Sequence, residues 1–181
     1  LCDTVYLGGG TPSVLSGNQL KSIIEALHRY FHIYENAEIT MEMNPCDMTE
    51  AYLKNALEQG VNRISVGVQT NRDELLVKIG RRHTAAEAEK AVNRAFKLGF
   101  RNISIDLMCE LPGQTVDDFE KTLKYAVHLP VTHMSVYSLI LEEGKMANGT
   151  DPAVTANNAA ARPVTGKSPD KEQPASTAQP A

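Results

Sequence analysis

The sequence predicts a parallel α/β fold, an incomplete (β/α) barrel or an open sheet, from three observations. Five short apolar runs, at residues 3–8, 38–43, 63–68, 102–107 and 133–140, are separated by stretches of helical periodicity. Strands joined through helices must run parallel, because a parallel pair needs a long crossover, and that crossover takes one hand. Each run also stops at glycines or at a polar side chain: Gly8-Gly9-Gly10-Thr11-Pro12, Glu42, Gln69, Asp106 and the Ser135/Tyr137 pair. In parallel α/β folds the C-terminal strand ends share one rim, and the rim holds the ligand. Finally, five units are too few for the eight-strand closed barrel, which usually needs roughly 250 residues.

The elements follow in order. After the first strand, Ser16 or Asn18 can cap a helix whose Leu20, Ile23, Ile24, Leu27 and Phe31 recur at three- and four-residue spacing. Thr49 or Asp47 opens the next, with Leu53, Ala56 and Leu57 as its buried stripe and Gly60 as a left-handed stop. A short helix over residues 73–79 closes at Gly80. Thr84 and Glu87 then form a capping box ahead of Ala88, Ala91, Val92, Ala95 and Leu98, and Gly99 ends that helix. Past the fourth strand, Thr115 caps a helix carrying Val116, Phe119, Leu123 and Ala126, with Pro130 as terminator. The pattern dissolves beyond Met146 into Ala, Pro, Thr, Asn and Ser. Two regions are therefore expected, a folded core at 1–145 and a disordered tail at 146–181.

A chain of 181 residues with net charge −4 presents no basic stripe, so nucleic acid is not an expected partner. Cys2, Cys46 and Cys109 are odd in number and widely spaced, which argues for a reducing compartment, best matched by the cytoplasm. No apolar run is long enough to span a bilayer. The first residue is Leu1, and the true start is expected upstream of it.

The rim residues carry the chemistry. Three consecutive glycines after a strand let the backbone turn sharply and approach a ligand closely. They lack the Gly-x-Gly-x-x-Gly spacing of dinucleotide folds and the lysine of a phosphate loop, so phosphate cradling is the lesser use. Glu42 is either half of a structural salt bridge with Arg63 or an acceptor for both hydroxyls of a ribose. Gln69 and Asp106 repeat its position at two further strand ends, and a primary amide both donates and accepts. Arg81 and Arg82 either hold a carboxylate or serve as helix-dipole partners. His83 reads as a solvated helix-entry histidine, Cys46 as a small buried hydrophobe, and Met41, Met43, Met108 and Met134 as core fillers. From the remaining histidines no metal site is expected.

Taken together, Gly8-Gly9-Gly10-Thr11-Pro12, Glu42-Met43-Asn44-Pro45, residues 60–69, Gly80-Arg81-Arg82-His83, Asp106-Leu107 with Leu111-Pro112-Gly113-Gln114-Thr115, and residues 133–139 resemble one family. It is the oxygen-independent coproporphyrinogen III oxidase family of radical S-adenosylmethionine proteins, including its haem-chaperone branch. The resemblance covers about residues 3 to 145 in the family's order. It implies a partial (β/α) barrel of the radical SAM type, with S-adenosylmethionine bound at the strand ends beside a [4Fe-4S] cluster. By the same resemblance, the backbone of Gly9, Gly10 and Thr11 meets the methionyl amino group, and Glu42, Gln69, Arg81 and Asp106 complete the pocket. Arg81 would face the carboxylate, and Gln69 and Asp106 the ribose. The position of Ile140 lies near the ligand in the family.

Two departures qualify the resemblance. The family's Cys-x3-Cys-x2-Cys triplet, expected ahead of the glycine motif, does not occur in this sequence, so the cluster ligands are expected upstream. After Glu143-Gly144 the family continues with further barrel, whereas here Lys145 leads into the Ala/Pro-rich tail. Residues 137–144 favour the haem-chaperone branch over the oxidase, which decarboxylates two propionates to vinyl groups. Implied partners are haem or a porphyrinogen, an electron-donor protein, and a membrane-associated haem acceptor. The alternatives are a sugar- or phosphate-processing barrel without a cluster, and an inactive remnant.

Overall fold

The structure, a computed structural model, describes residues 1–139. Five strands, β1 (Cys2–Leu7), β2 (Ile33–Met43), β3 (Arg63–Gln69), β4 (Asn102–Cys109) and β5 (His133–Ser138), form one sheet in sequential order. Every neighbouring pair is parallel. Sequential order with parallel pairing is the winding of a barrel wall and differs from the doubly wound order, which reverses at a switch point. The helices are α1 (Gly17–Tyr30), α2 (Glu50–Glu58), α3 (Asp73–Lys78), α4 (Ala85–Leu98) and α5 (Val116–Ala126). None among the described residues is long and apolar enough to cross a membrane.

Strand alternation divides the sheet into two unlike faces. Ile39, Met41, Met43, Ile64, Val66, Val68, Ile103, Ile105 and Leu107 point to the helices and are buried with Leu20, Leu53, Ala88, Val92 and Ala95. Burying a leucine or isoleucine in this way stabilises by about 1.5–3 kcal/mol. The intervening residues are polar and bond across strands. Arg63 donates to Thr40 at 3.2 Å, Asn102 to Glu38 at 3.3 Å, and Ser104 lies 2.9 Å from His133 Nδ1. A face of this kind is built to meet polar matter, and at its C-terminal end it meets the rim.

Capping fixes where the helices begin. Ser16, not Asn18, caps α1 in a capping box with Gln19, and Thr49, not Asp47, caps α2. Thr84 with Glu87 and Thr115 with Asp118 form the boxes of α4 and α5. Gly99 ends α4 at φ 118°, a conformation that a Cβ disfavours.

Several expectations are corrected. β2 starts at Ile33, five residues early, because its first part pairs irregularly: Cys2 faces Ile33 but Thr4 faces Glu38. His83 is buried at 4 % exposure rather than solvated, and Cys46 is exposed, since Pro45 and Met48 take the inward places of its turn. Met134 is 40 % exposed on β5, an edge strand among the described residues, whereas Met41, Met43 and Met108 are buried. Ile140 and the expected boundary at 145/146 lie outside the described residues.

Candidate functional site

At the C-terminal end of the sheet, one open cleft is lined by Gly10, Thr11, Glu42, Gln69, Arg81 and Asp106, together with Asn44, Ser65 and Gly67. Gly9, the remaining candidate, borders it through Glu42. The loops after β1, β2 and α3, with residues of β2, β3 and β4 themselves, thus converge on one place.

Glu42 is the brace of the glycine turn. Its Oε2 accepts the Gly9 N–H at 3.0 Å and its Oε1 accepts the Tyr6 hydroxyl at 2.9 Å. The salt bridge with Arg63 is therefore not made: Arg63 instead approaches Glu38 at 3.9 Å, four residues earlier on the same strand. Gly8 permits the arrangement, because a Cβ there would lie 2.5 Å from Tyr6 Cε1 and 2.9 Å from Glu42 Oε1. Gly9 and Gly10 serve a different need. Their φ angles are +81° and +50°, with open space where a Cβ would stand, so conformation and not crowding calls for glycine. Burial and the adjoining Glu42 carboxylate push the Tyr6 phenol well above its usual range, which keeps it a donor.

Asp106 is held from two sides. Ser65 donates to its carboxylate at 3.1 and 3.2 Å, and Ser135 bonds it from β5. Burial raises the carboxyl's pKa and Glu42 raises it further, against the opposing pull of the two serines and Arg63. Gln69, 6 % exposed, ends β3 with φ 69°, where the pairing with β4 slips between Gly67 and Gln69. A left-handed glutamine costs roughly 1–2 kcal/mol, and strain of this sort concentrates at functional sites. A Cβ on Gly67 would come within 3.0 Å of Gln69 Nε2, so the glycine leaves room for that amide, while the Arg81 guanidinium would stand at an ordinary contact distance of 3.8 Å.

Arg81 donates to Asn44 Oδ1 at 3.0 Å. Burial lowers its pKa, which Asp106 partly offsets, and a guanidinium remains charged in any case. Arg82 points elsewhere, 3.7 Å from Asp47, and is exposed. His83 is buried behind the cleft with Nε2 3.4 Å from the Val68 carbonyl.

Tyr6 and Ser13 fall outside the quoted motifs and Asn44 and Ser65 inside them, and the sequence assigns none of the four a role at the site. Tyr6 and Ser65 share the inward parity of Thr4 and of Gly67 and Gln69, so alternation along β1 and β3 is the signal that marks them.

The donor set suits a zwitterionic nucleoside: a guanidinium for a carboxylate, carboxylates for an ammonium or vicinal hydroxyls, and an amide for either. It does not suit an iron–sulfur cluster. Cys2 opens β1 at the far end of the sheet, Cys46 lies in a turn, and Cys109 ends β4. Among the described residues no three metal-ligating side chains gather.

Known proteins resemble this chain in sequence and fold. The chain is 44 % identical over 140 residues to a haem chaperone of Lactococcus lactis, covering 77 % of this chain and 37 % of the relative. With the haem chaperone of Escherichia coli it shares 35 % over 156 residues, or 86 % and 41 % of the two chains. It spans about two fifths of the length of such relatives. Among solved structures, coproporphyrinogen III oxidase of Escherichia coli, a radical SAM enzyme, superposes with a TM-score of 0.73 at 28 % identity, over 87 % of this chain and 34 % of that one. This match makes the five-stranded wall a partial (β/α) barrel. The model of the radical SAM superfamily covers residues 1–126, and the chain belongs to that superfamily.

Proposed function

We propose that the rim cleft binds S-adenosylmethionine and that the protein to which this chain belongs handles haem as a radical SAM chaperone. The observation that carries the reading is convergence: one guanidinium, two carboxylates, one amide and a glycine turn, from five places in the sequence, border a single cleft. Arg81 takes the methionyl carboxylate, and the turn from Gly9 to Thr11, steadied by Glu42, faces the amino group. Gln69 and Asp106 hold the ribose hydroxyls. Bound beside a [4Fe-4S] cluster, S-adenosylmethionine supplies radical chemistry; the described residues contribute the nucleoside side of that site alone. Haem is the expected cargo because the chaperones noted above are named for it. An electron donor and a membrane-associated haem acceptor complete the proposal, with the cytoplasm as its setting.

The oxidase is the second reading, supported by the structural likeness to coproporphyrinogen III oxidase. Anaerobically reconstituted full-length protein separates the two. Titration with haem, followed in the Soret band, should saturate, and coproporphyrinogen should not be consumed. Rapid vinyl formation would instead assign the oxidase. Failure of the protein to take up S-adenosylmethionine in equilibrium dialysis would defeat both.

A further inference from the structure

We infer that Ser13 is a positioning residue for Arg81, its buried hydroxyl tying three rim loops together so that the guanidinium faces the ligand. This deepens, and rests on, the reading of the cleft as an S-adenosylmethionine site. Ser13 lies in the short turn Pro12–Val14 that follows the glycines and is 4 % exposed. Its Oγ donates to Asp47 Oδ2 at 2.6 Å and accepts the Asn44 N–H at 3.1 Å. Asn44 in turn presents Oδ1 to Arg81 Nη1 at 3.0 Å. One hydroxyl therefore links the glycine loop, the loop after β2 and the loop after α3.

The chemistry of the link explains why a serine is used. A hydroxyl offers one proton and two lone pairs, enough to satisfy a carboxylate and an N–H together. Alanine would leave the Asn44 N–H without its acceptor and Asp47 without its donor, so Asn44 would be released from its orientation. Arg81 makes no salt bridge among the described residues. The Asn44 carbonyl aims the guanidinium without neutralising it, and its charge is left for an incoming carboxylate.

A double-mutant cycle on the full-length protein tests this, with two ligands: S-adenosylmethionine, and 5′-methylthioadenosine, which shares the nucleoside and lacks the amino acid. Ser13→Ala should weaken S-adenosylmethionine about tenfold and methylthioadenosine less than about twofold. In an Arg81→Gln background the same change should cost less than about twofold for either ligand. Should Ser13→Ala fail to fold, Ser13→Cys, near in size and a poor hydrogen-bonder, takes its place in the cycle. Equal losses for both ligands, or additive losses of the two substitutions, would overturn the role of Ser13 while leaving the cofactor reading intact. Wild-type protein that binds neither ligand would overturn the cofactor reading, and this assignment with it.

Discussion

The Ser65 hydroxyl sits 3.1 and 3.2 Å from the two carboxylate oxygens of Asp106, bridging β3 and β4 beneath the cleft. The contact opposes burial and the Glu42 charge, which between them hold the Asp106 pKa above its ordinary value. A carboxyl that binds its proton more tightly folded than unfolded contributes stability at low pH. That contribution is lost as pH rises from the unfolded value, about 4, through the raised folded value. Above this window the ionised group is a burden on the fold. Asp106→Asn should therefore raise the melting temperature by about 3 °C at pH 7.5, and by less near pH 4. It should also weaken S-adenosylmethionine at least about tenfold through the loss of a ribose acceptor. Melting curves at both pH values check the first expectation, and a variant less stable than wild type at pH 7.5 would refute it.

Gln69 offers an inversion of the usual glycine penalty. At most positions alanine is the more stable of the two, but at φ 69° the Cβ is itself the cost. Gln69→Gly should be more stable than Gln69→Ala by about 1 kcal/mol in urea denaturation. Both should bind S-adenosylmethionine about tenfold more weakly than wild type, because both lack the amide. If Gln69→Ala proves the more stable, the strand end relaxes out of the left-handed region and the strain argument fails.

The apolar runs made four of the five strands legible: the apolar half of β3 and β4 is buried against the helices and that of β1 partly so, whereas Met134 and Val136 of β5 are exposed. Strand ends map onto the rim by topology alone, so Glu42, Gln69 and Asp106 could be grouped before any coordinates. The start of β2 could not be read, because exposed Tyr34, Glu35 and Asn36 sit where the register with β1 slips. Nor could the partners within the rim. Ser13 and Asn44 are 31 residues apart, Arg81 and Asn44 37, Ser65 and Asp106 41, and only the packing of loops decides which polar atoms meet. The same limit explains Arg63, which chose Glu38 over Glu42, and His83, whose burial comes from the turn between α3 and α4 folding back on β3.

His83 sets the last expectation. Burial lowers its pKa, and nearby Arg81 lowers it further, whereas the Val68 carbonyl, Glu87 and Asp73 pull the other way. With the folded value depressed, the unfolded chain binds more protons between that value and about 6.5. Stability is then complete above about pH 6.5 and is lost as pH falls through the folded pKa. Protonation would also place a second cation beside Arg81, so the cleft should loosen together with the fold. His83→Gln retains a donor for Val68 but cannot titrate. Melting temperatures from pH 8 to pH 5 should fall more steeply for wild type than for His83→Gln, and the gap should open mainly below pH 6.5. A gap that stays constant across this range would mean that the imidazole is not held neutral, and the burial of His83 would then have no bearing on how Arg81 is kept in place.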